Sequence, residues 1–381
     1  MAVVFNMTPL SILLINSMRK KIIFIIIAGL MSGCAVAKKS VWLKDKTIKD
    51  AVHNKFLVGT ALNEAQITGM DTKSLELVKR HFSSIVSENC MKSGSLHPEE
   101  NRYDFNLADK FVKFGEDNGM FIIGHCLVWH SQLPRWFCVD KDGKDVSPEV
   151  LKQRMREHIH TVVGRYKGRV KGWDVVNEAI MEDGSYRKSK FYQILGEEFI
   201  PLAFQYAHEA DPDAELYYND YNMHVVEKQH TVVKLVNNMK SKGIRIDAVG
   251  MQGHMGMDYP GIKEFEDAIL NYASTGAKVM ITEWDMSALP TVSHTANISE
   301  TVAFKKDMNP YPQSLPDSVS RQWNARMAEF WNLFIKHSDV ISRVTAWGVT
   351  DGDSWKNDFP VRGRRDYQPK PFIKEILKQK H

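Results

Sequence analysis

Trp173-Asp174-Val175-Val176-Asn177-Glu178-Ala179-Ile180 is an apolar run interrupted by a polar pair. Apolar and β-branched residues in near-continuous succession mark a strand covered on both faces. Asn177 and Glu178 fall at its carboxyl end, where a carboxylate is expensive to bury without a partner or a task. The pattern returns in Lys278-Val279-Met280-Ile281-Thr282-Glu283-Trp284-Asp285, again a buried-type strand ending on a glutamate. Two glutamates at the ends of two parallel strands can face each other across the mouth of a barrel.

The surrounding chain supports a barrel. Strands are expected over 56–62, 84–88, 120–124, 215–218, 247–251 and 343–348 besides the two quoted. Helices are expected between them, over 71–81, 107–118, 227–242, 262–274 and 321–337, with another ending at Asp211-Pro212 and a last one near Phe372. The helix after the third strand is clearly marked. Ser147 can cap it, Pro148 suits its first position, Gly168 follows its end, and Leu151, Met155, Ile159, Val162 and Tyr166 keep helical spacing. Eight strand–helix units predict an α/β fold of the (β/α)8 TIM-barrel type, one catalytic domain over 38–381. The competing doubly wound sheet lacks a G-x-G-x-x-G turn. The segment 287–320, rich in Pro, Ser and Asn, is too long for a plain connector and is expected at the catalytic mouth.

Residues 1–37 read as an N-terminal extension and export signal. Arg19-Lys20-Lys21 precedes the apolar stretch Ile22 to Leu30, which is too short to span a bilayer comfortably. Ala35-Val36-Ala37 suits ordinary signal peptidase, whereas Ser32-Gly33-Cys34 suits lipid attachment at Cys34. Met18 is an alternative start. The expected location is therefore periplasmic, at the cell surface as a lipoprotein, or extracellular, with no membrane contact except through Cys34. The full chain has 50 basic and 46 acidic residues. Without the three basic residues of the signal the balance is 47 to 46, so the charge gives no footing for nucleic-acid binding. Cys90, Cys126 and Cys138 show no C-x-x-C spacing, and buried free thiols are expected rather than a disulfide or a metal site.

In a barrel the active site lies at the carboxyl ends of the strands. This chain places there Glu88, Asn89 and Lys92; His125, Trp129, His130 and Gln132; Asn177 and Glu178; Asn219, Asp220, Tyr221 and Asn222; Gln252 and His254; Glu283 and Asp285; then Trp347 and Trp355. Amides, carboxylates and indoles dominate, with no serine elbow and no phosphate-cradling loop. Sugars need this mixture: polar groups for hydroxyls, indoles for the apolar sugar face. Hydrolysis through a covalent glycosyl intermediate needs two carboxyls about 5–5.5 Å apart, one nucleophile and one proton donor. Each residue also has a plainer reading. A strand-ending glutamate can be a solvated ion-pair partner, His125 and His130 satisfied core histidines, and Trp173 and Trp284 core indoles.

The strings Val58-Gly59-Thr60-Ala61, Glu88-Asn89-Cys90-Met91-Lys92, Gly124-His125, Leu127-Val128-Trp129-His130-Ser131-Gln132, Trp173 to Glu178, Tyr218-Asn219-Asp220-Tyr221-Asn222, Gln252-Gly253-His254 and Ile281-Thr282-Glu283 resemble the family ten glycoside hydrolases, endo-β-1,4-xylanases. The likeness covers about 45–380. It implies a retaining enzyme acting on xylan and xylo-oligosaccharides, without cofactor or metal, as a monomer. It implies Glu283 as nucleophile and Glu178 as acid/base. His254 would bond Glu283 and be oriented by Asp285, and Asn177 would bond the 2-hydroxyl of the sugar being cleaved. Glu88, Asn89, Lys92, His125, Trp129, Gln132, Trp347 and Trp355 would form the glycone subsites, with Gln252 among the binding residues and Tyr221 and Asn222 on the leaving side. Ser93-Gly94, Trp284 and Arg362-Gly363-Arg364-Arg365 depart from the family pattern. The alternatives are a non-catalytic xylan-binding barrel and the same chemistry on another β-1,4-glycan such as β-glucan.

Overall fold

The computed structural model describes residues 46–289, 310–311, 315–353, 355, 367 and 369–378. The chain divides into two units, Met1–Lys46 and Thr47–His381, and the following concerns the second. The segment expected over 1–37 with Cys34, most of the 287–320 loop, and Arg362 to Arg365 lie outside the described residues.

Eight strands form the barrel: β1 (Leu57–Leu62), β2 (Ser84–Ser87), β3 (Phe121–Trp129), β4 (Gly172–Asn177), β5 (Glu215–Asp220), β6 (Ala248–Met251), β7 (Lys278–Met286) and β8 (Ile341–Ala346). Each pairs in parallel with the next, and β8 returns to β1 with Leu57 opposite Arg343 and Thr60 opposite Ala346. The closed ring is the TIM barrel expected from the alternation. A two-residue strand, His254–Met255, pairs beyond the ring with Asp285 and Met286.

Why the strands read as continuous apolar runs is now plain: β2, β4 and β6 are buried along their whole length, between the barrel interior and the helices. The main core lies between sheet and helices, while a smaller one of Ala61, Val86, Ile123, Tyr217, Ala248 and Met280 fills the barrel. Helix Pro148–Arg165 begins as its sequence requires, with Ser147 Oγ accepting from Val150 N–H at 3.3 Å and Leu151, Met155, Ile159 and Val162 turned inward. Cys90, Cys126 and Cys138 are buried free thiols.

Three strands run further than expected. β7 continues past Glu283 to Met286. β3 continues from Gly124 to Trp129, and β5 from Tyr218 to Asp220. Polar residues ended these strands on paper, but here they are buried and paired. His125 Nδ1 lies 2.9 Å from Asp174 Oδ2 on the neighbouring strand, so it continues the sheet. The helix expected from 321 starts at Asp317, directly after Pro316.

Gly124 shows how tightly β3 and β4 pack. A Cβ there would lie 2.1 Å from Trp173 Cε3, and the Trp173 ring is fully buried. Overpacking of this kind costs on the order of 1–3 kcal/mol. Gly124→Ala is therefore expected to lower the urea unfolding midpoint by that amount of stability; an unchanged midpoint would mean the indole has room to shift.

Candidate active site

Glu178 follows the last residue of β4 and Glu283 lies within β7, and each is only 5% exposed. Amide side chains link them. Asn219 Nδ2 donates to Glu283 Oε1 at 2.8 Å and to Asn177 Oδ1 at 2.9 Å. Asn177 Nδ2 in turn donates to Glu178 Oε1 at 3.2 Å. Thr282 Oγ1 donates to Asn219 Oδ1 at 2.6 Å, which fixes which end of that amide faces the carboxylates. Gln252 Nε2 donates to Glu178 Oε1 at 3.0 Å, and Trp129 Nε1 to Glu178 Oε2 at 2.9 Å.

The two carboxyls are driven apart electrostatically. Burial pushes Glu178 above the usual carboxylate range, the charge of Asp220 adds to it, and the donors Gln252 and Trp129 oppose it only in part. The charge of Glu283 contributes less than burial and Asp220. Burial also works against the ionised form of Glu283. There the hydrogen bond from His254, the charges of His125 and His254, and the Asn219 amide outweigh it and hold the carboxyl below its usual range. Unequal environments around paired carboxyls divide them into an acid and an anion.

His254 is the main cause of that division. Its Nε2 lies 3.2 Å from Glu283 Oε2 and its Nδ1 3.0 Å from Asp285 Oδ1. Burial disfavours the imidazolium, but Asp285 and then Glu283 raise its pKa from 6.5 to about 9. His254 is thus a cation at neutral pH, clamped between two carboxylates.

Several residues expected at the glycone subsites touch one another. Lys92 Nζ donates to Asn89 Oδ1 at 3.0 Å and lies 4.9 Å from the centre of the Trp129 ring. Burial raises the Glu88 carboxyl, and Lys92 works against this. The Trp347 ring meets His125 edge-on at 5.6 Å. Trp355 donates its indole N–H to Asp285 Oδ2 at 2.8 Å and lies 5.0 Å from His254. Gln132 has an exposed side chain, and its carbonyl accepts from Gly94 N–H at 2.9 Å. A Cβ on Gly94 would come 2.6 Å from that carbonyl oxygen, so the glycine in Ser93-Gly94 permits the link. Trp284 packs edge-on against Phe334 at 5.2 Å, as core.

On the leaving side, Asn222 Nδ2 donates to Glu182 Oε1 at 3.1 Å. Tyr221 departs from the expectation. It is 1% exposed, its hydroxyl accepts from Arg187 Nη2 at 2.7 Å, and Lys228 Nζ lies 4.1 Å from its ring centre. Cations cover the ring, so a sugar cannot stack on it, and its position is beneath the site.

The sequence reading passed over this buried layer. Glu178 adopts φ +57°, a left-handed conformation that costs a non-glycine residue about 1–2 kcal/mol. Its N–H donates to Asn219 O at 2.9 Å, and its carbonyl accepts from Arg187 Nε at 2.8 Å. Asp220 and Lys228 form a fully buried pair at 2.8 Å. Lys228 had a legible signal: it shares one helical face with Val232, Leu235, Val236 and Met239, where a lysine is anomalous. Arg187 had none, since its burial depends on how the 179–189 loop folds back.

Comparison with known proteins agrees with this geometry. The profile of glycosyl hydrolase family 10 matches residues 47–379. Endo-1,4-beta-xylanase A of Xylanibacter ruminicola is 48% identical over 342 residues, which is 87% of this chain and 93% of that protein. A longer protein from the same species, an endo-1,4-beta-xylanase/feruloyl esterase, is 36% identical over 368 residues; the match takes in 92% of this chain and 49% of that protein. The solved structure of a GH10 endoxylanase retrieved from a sugarcane soil metagenome superimposes with a TM-score of 0.82 at 42% identity, covering 87% of this chain and 99% of that one. A closed parallel barrel, two unlike carboxyls at its mouth and a profile match over almost the whole described chain agree: the protein is a glycoside hydrolase and belongs to glycosyl hydrolase family 10.

Proposed function

We propose that the protein is an endo-β-1,4-xylanase that cleaves internal bonds of xylan and xylo-oligosaccharides with retention of configuration. The observation that carries the mechanism is the unlike surroundings of the two glutamates: His254 and Asn219 bond Glu283 and favour its ionised form, while burial favours the protonated form of Glu178. In the first step Glu283 attacks the anomeric carbon while the glycosidic oxygen leaves with the proton of Glu178. The resulting ester removes the Glu283 charge. Glu178, now an anion, takes a proton from water, which attacks the anomeric carbon and releases Glu283. Asn177, held by Asn219, would meet the 2-hydroxyl at the cleaved sugar. Glu88, Asn89, Lys92, His125, Trp129, Gln132, Trp347 and Trp355 would bind the glycone, and Asn222 the leaving side. The xylan preference rests on relatives that are endo-1,4-beta-xylanases.

The protein would act as a monomer outside the cytoplasm. Residues 1–37 would direct export, ending either in cleavage after Ala37 or in lipid attachment at Cys34.

The test is proton NMR of the reducing ends released from glucuronoxylan by protein starting at Lys38. Internal oligosaccharides first seen as the β-anomer are expected. An α-anomer would refute the double displacement, binding without release would mean a xylan-binding barrel, and release from β-glucan instead would change the polymer.

A further inference from the structure

The backbone that carries Glu178 is held from below by a buried network. Arg187 bridges two groups with its planar fork, Nε donating to Glu178 O at 2.8 Å and Nη2 to Tyr221 Oη at 2.7 Å. The Tyr221 N–H and Lys228 Nζ both donate to Asp220 Oδ1, at 2.9 and 2.8 Å. Asp220 Oδ2 accepts from Ile180 N–H at 3.3 Å and from the Tyr218 hydroxyl at 2.5 Å, and that hydroxyl accepts from Ala179 N–H at 3.2 Å. Three consecutive residues, 178 to 180, are thus gripped by side chains of β5, its following loop and Arg187. Glu178 is the one in the left-handed conformation, and Arg187 holds its carbonyl. The Glu283 N–H donates to Gln252 O at 2.7 Å, and the Gln252 N–H donates to Asp220 O at 2.9 Å, so β5 supports both glutamates. The Arg187 fork, by contrast, bonds the backbone of Glu178 and makes no bond to Glu283.

We infer that Arg187 is a positioning residue for the acid/base: by fixing the Glu178 carbonyl against Tyr221 it aims the Glu178 carboxyl at the leaving oxygen, and so serves proton transfer rather than nucleophilic attack. This rests on the roles proposed above for the two glutamates. A guanidinium can hold both acceptors because its donors are rigidly spaced, which a lysine ammonium cannot reproduce. If the fork is lost, Glu178 can swing out of line while Glu283 stays in place. Misplacement by about 1 Å is enough for a loss of about 100-fold.

The consequence is a split by leaving group. An unactivated sugar hydroxyl leaves only with a proton, whereas 2,4-dinitrophenolate leaves without one. Arg187→Ala is expected to lower kcat/KM on xylotetraose about 100-fold. On 2,4-dinitrophenyl β-xylobioside it should stay within about threefold of wild type, because that step needs only Glu283. Tyr221→Phe removes one anchor of the fork and keeps the buried ring, so it should show the same split at about tenfold. It decides the matter if Arg187→Ala does not fold, as judged by near-ultraviolet circular dichroism. Equal losses on both substrates, or no loss on xylotetraose, in variants of an active wild type would overturn the positioning role alone. A wild type inert on both substrates would overturn the proposed function and the positioning role with it.

Discussion

Replacing Glu283 by Gln should lower kcat/KM on xylan by about 10⁴-fold or more while leaving the barrel folded, because removal of a nucleophile leaves only binding and residual electrostatics. The substitution keeps the shape and removes the charge. Its neighbours would report the change. His254 is raised from 6.5 to about 9 by Asp285 and, after it, by Glu283. With Glu283 neutralised only Asp285 is left to oppose burial, so His254 should titrate below its wild-type value. The linkage has a definite sign. A histidine raised on folding contributes stability fully below about pH 6.5 and loses it as pH rises through about 9. Thermal melts of Glu283→Gln should show a smaller loss of stability across that window than wild type. Reducing-sugar assays on xylan, with melts at pH 6 and pH 9, test both parts. Activity above about 1% of wild type in this variant would remove Glu283 as the nucleophile.

Most of the fold was legible because a barrel repeats one signal. Each buried strand is an apolar run, and each helix is amphipathic with its own start and stop residues. The ends of β3 and β5 were misread where His125, Asn219 and Asp220 looked like loop. A single stretch of chain does not reveal that His125 will find Asp174 on the next strand, and burial of a polar residue depends on such a partner. The two glutamates were legible because each ended an apolar run. The supporting shell was less so. Asn219 stood in a string that pointed to the site, but its two bonds, to Asn177 and Glu283, needed β5 placed between β4 and β6 in the ring. Tyr221 was placed on the leaving side by the family resemblance. The cations that cover it are Lys228, in the first turn of the next helix, and Arg187, from the loop after β4.

At Ser93-Gly94 the glycine bears on the backbone, since a Cβ there would meet the Gln132 carbonyl oxygen at 2.6 Å. Gly94 lets the loop after β2 hydrogen-bond to Gln132, so Lys92 and Gln132 are carried on two loops joined by one backbone bond.

Replacing Glu178 by Ala should reproduce the Arg187→Ala split in a stronger form. General acid catalysis contributes about 10²–10⁴-fold, and that is the expected fall in kcat/KM on xylo-oligosaccharides. On 2,4-dinitrophenyl β-xylobioside the glycosylation step needs no proton, so kcat/KM should remain near wild type while kcat falls, since water then lacks its base. Azide, an anion that needs no base, should restore kcat and yield the β-xylobiosyl azide. The pH dependence follows from the same assignment. The active state has Glu178 protonated and Glu283 ionised. In the wild type, kcat/KM on xylo-oligosaccharides should fall as pH rises through the Glu178 pKa, which burial and Asp220 raise. It should fall again as pH drops through the Glu283 pKa, which His254 and Asn219 hold down against burial. Glu178→Ala on the activated substrate should lose the alkaline limb and keep the acid one, because only the group that donated the proton is gone. An α-azide would overturn the covalent intermediate on Glu283, and an undiminished kcat/KM on xylo-oligosaccharides would mean that another group supplies the proton and that the raised pKa of Glu178 serves no step of the reaction.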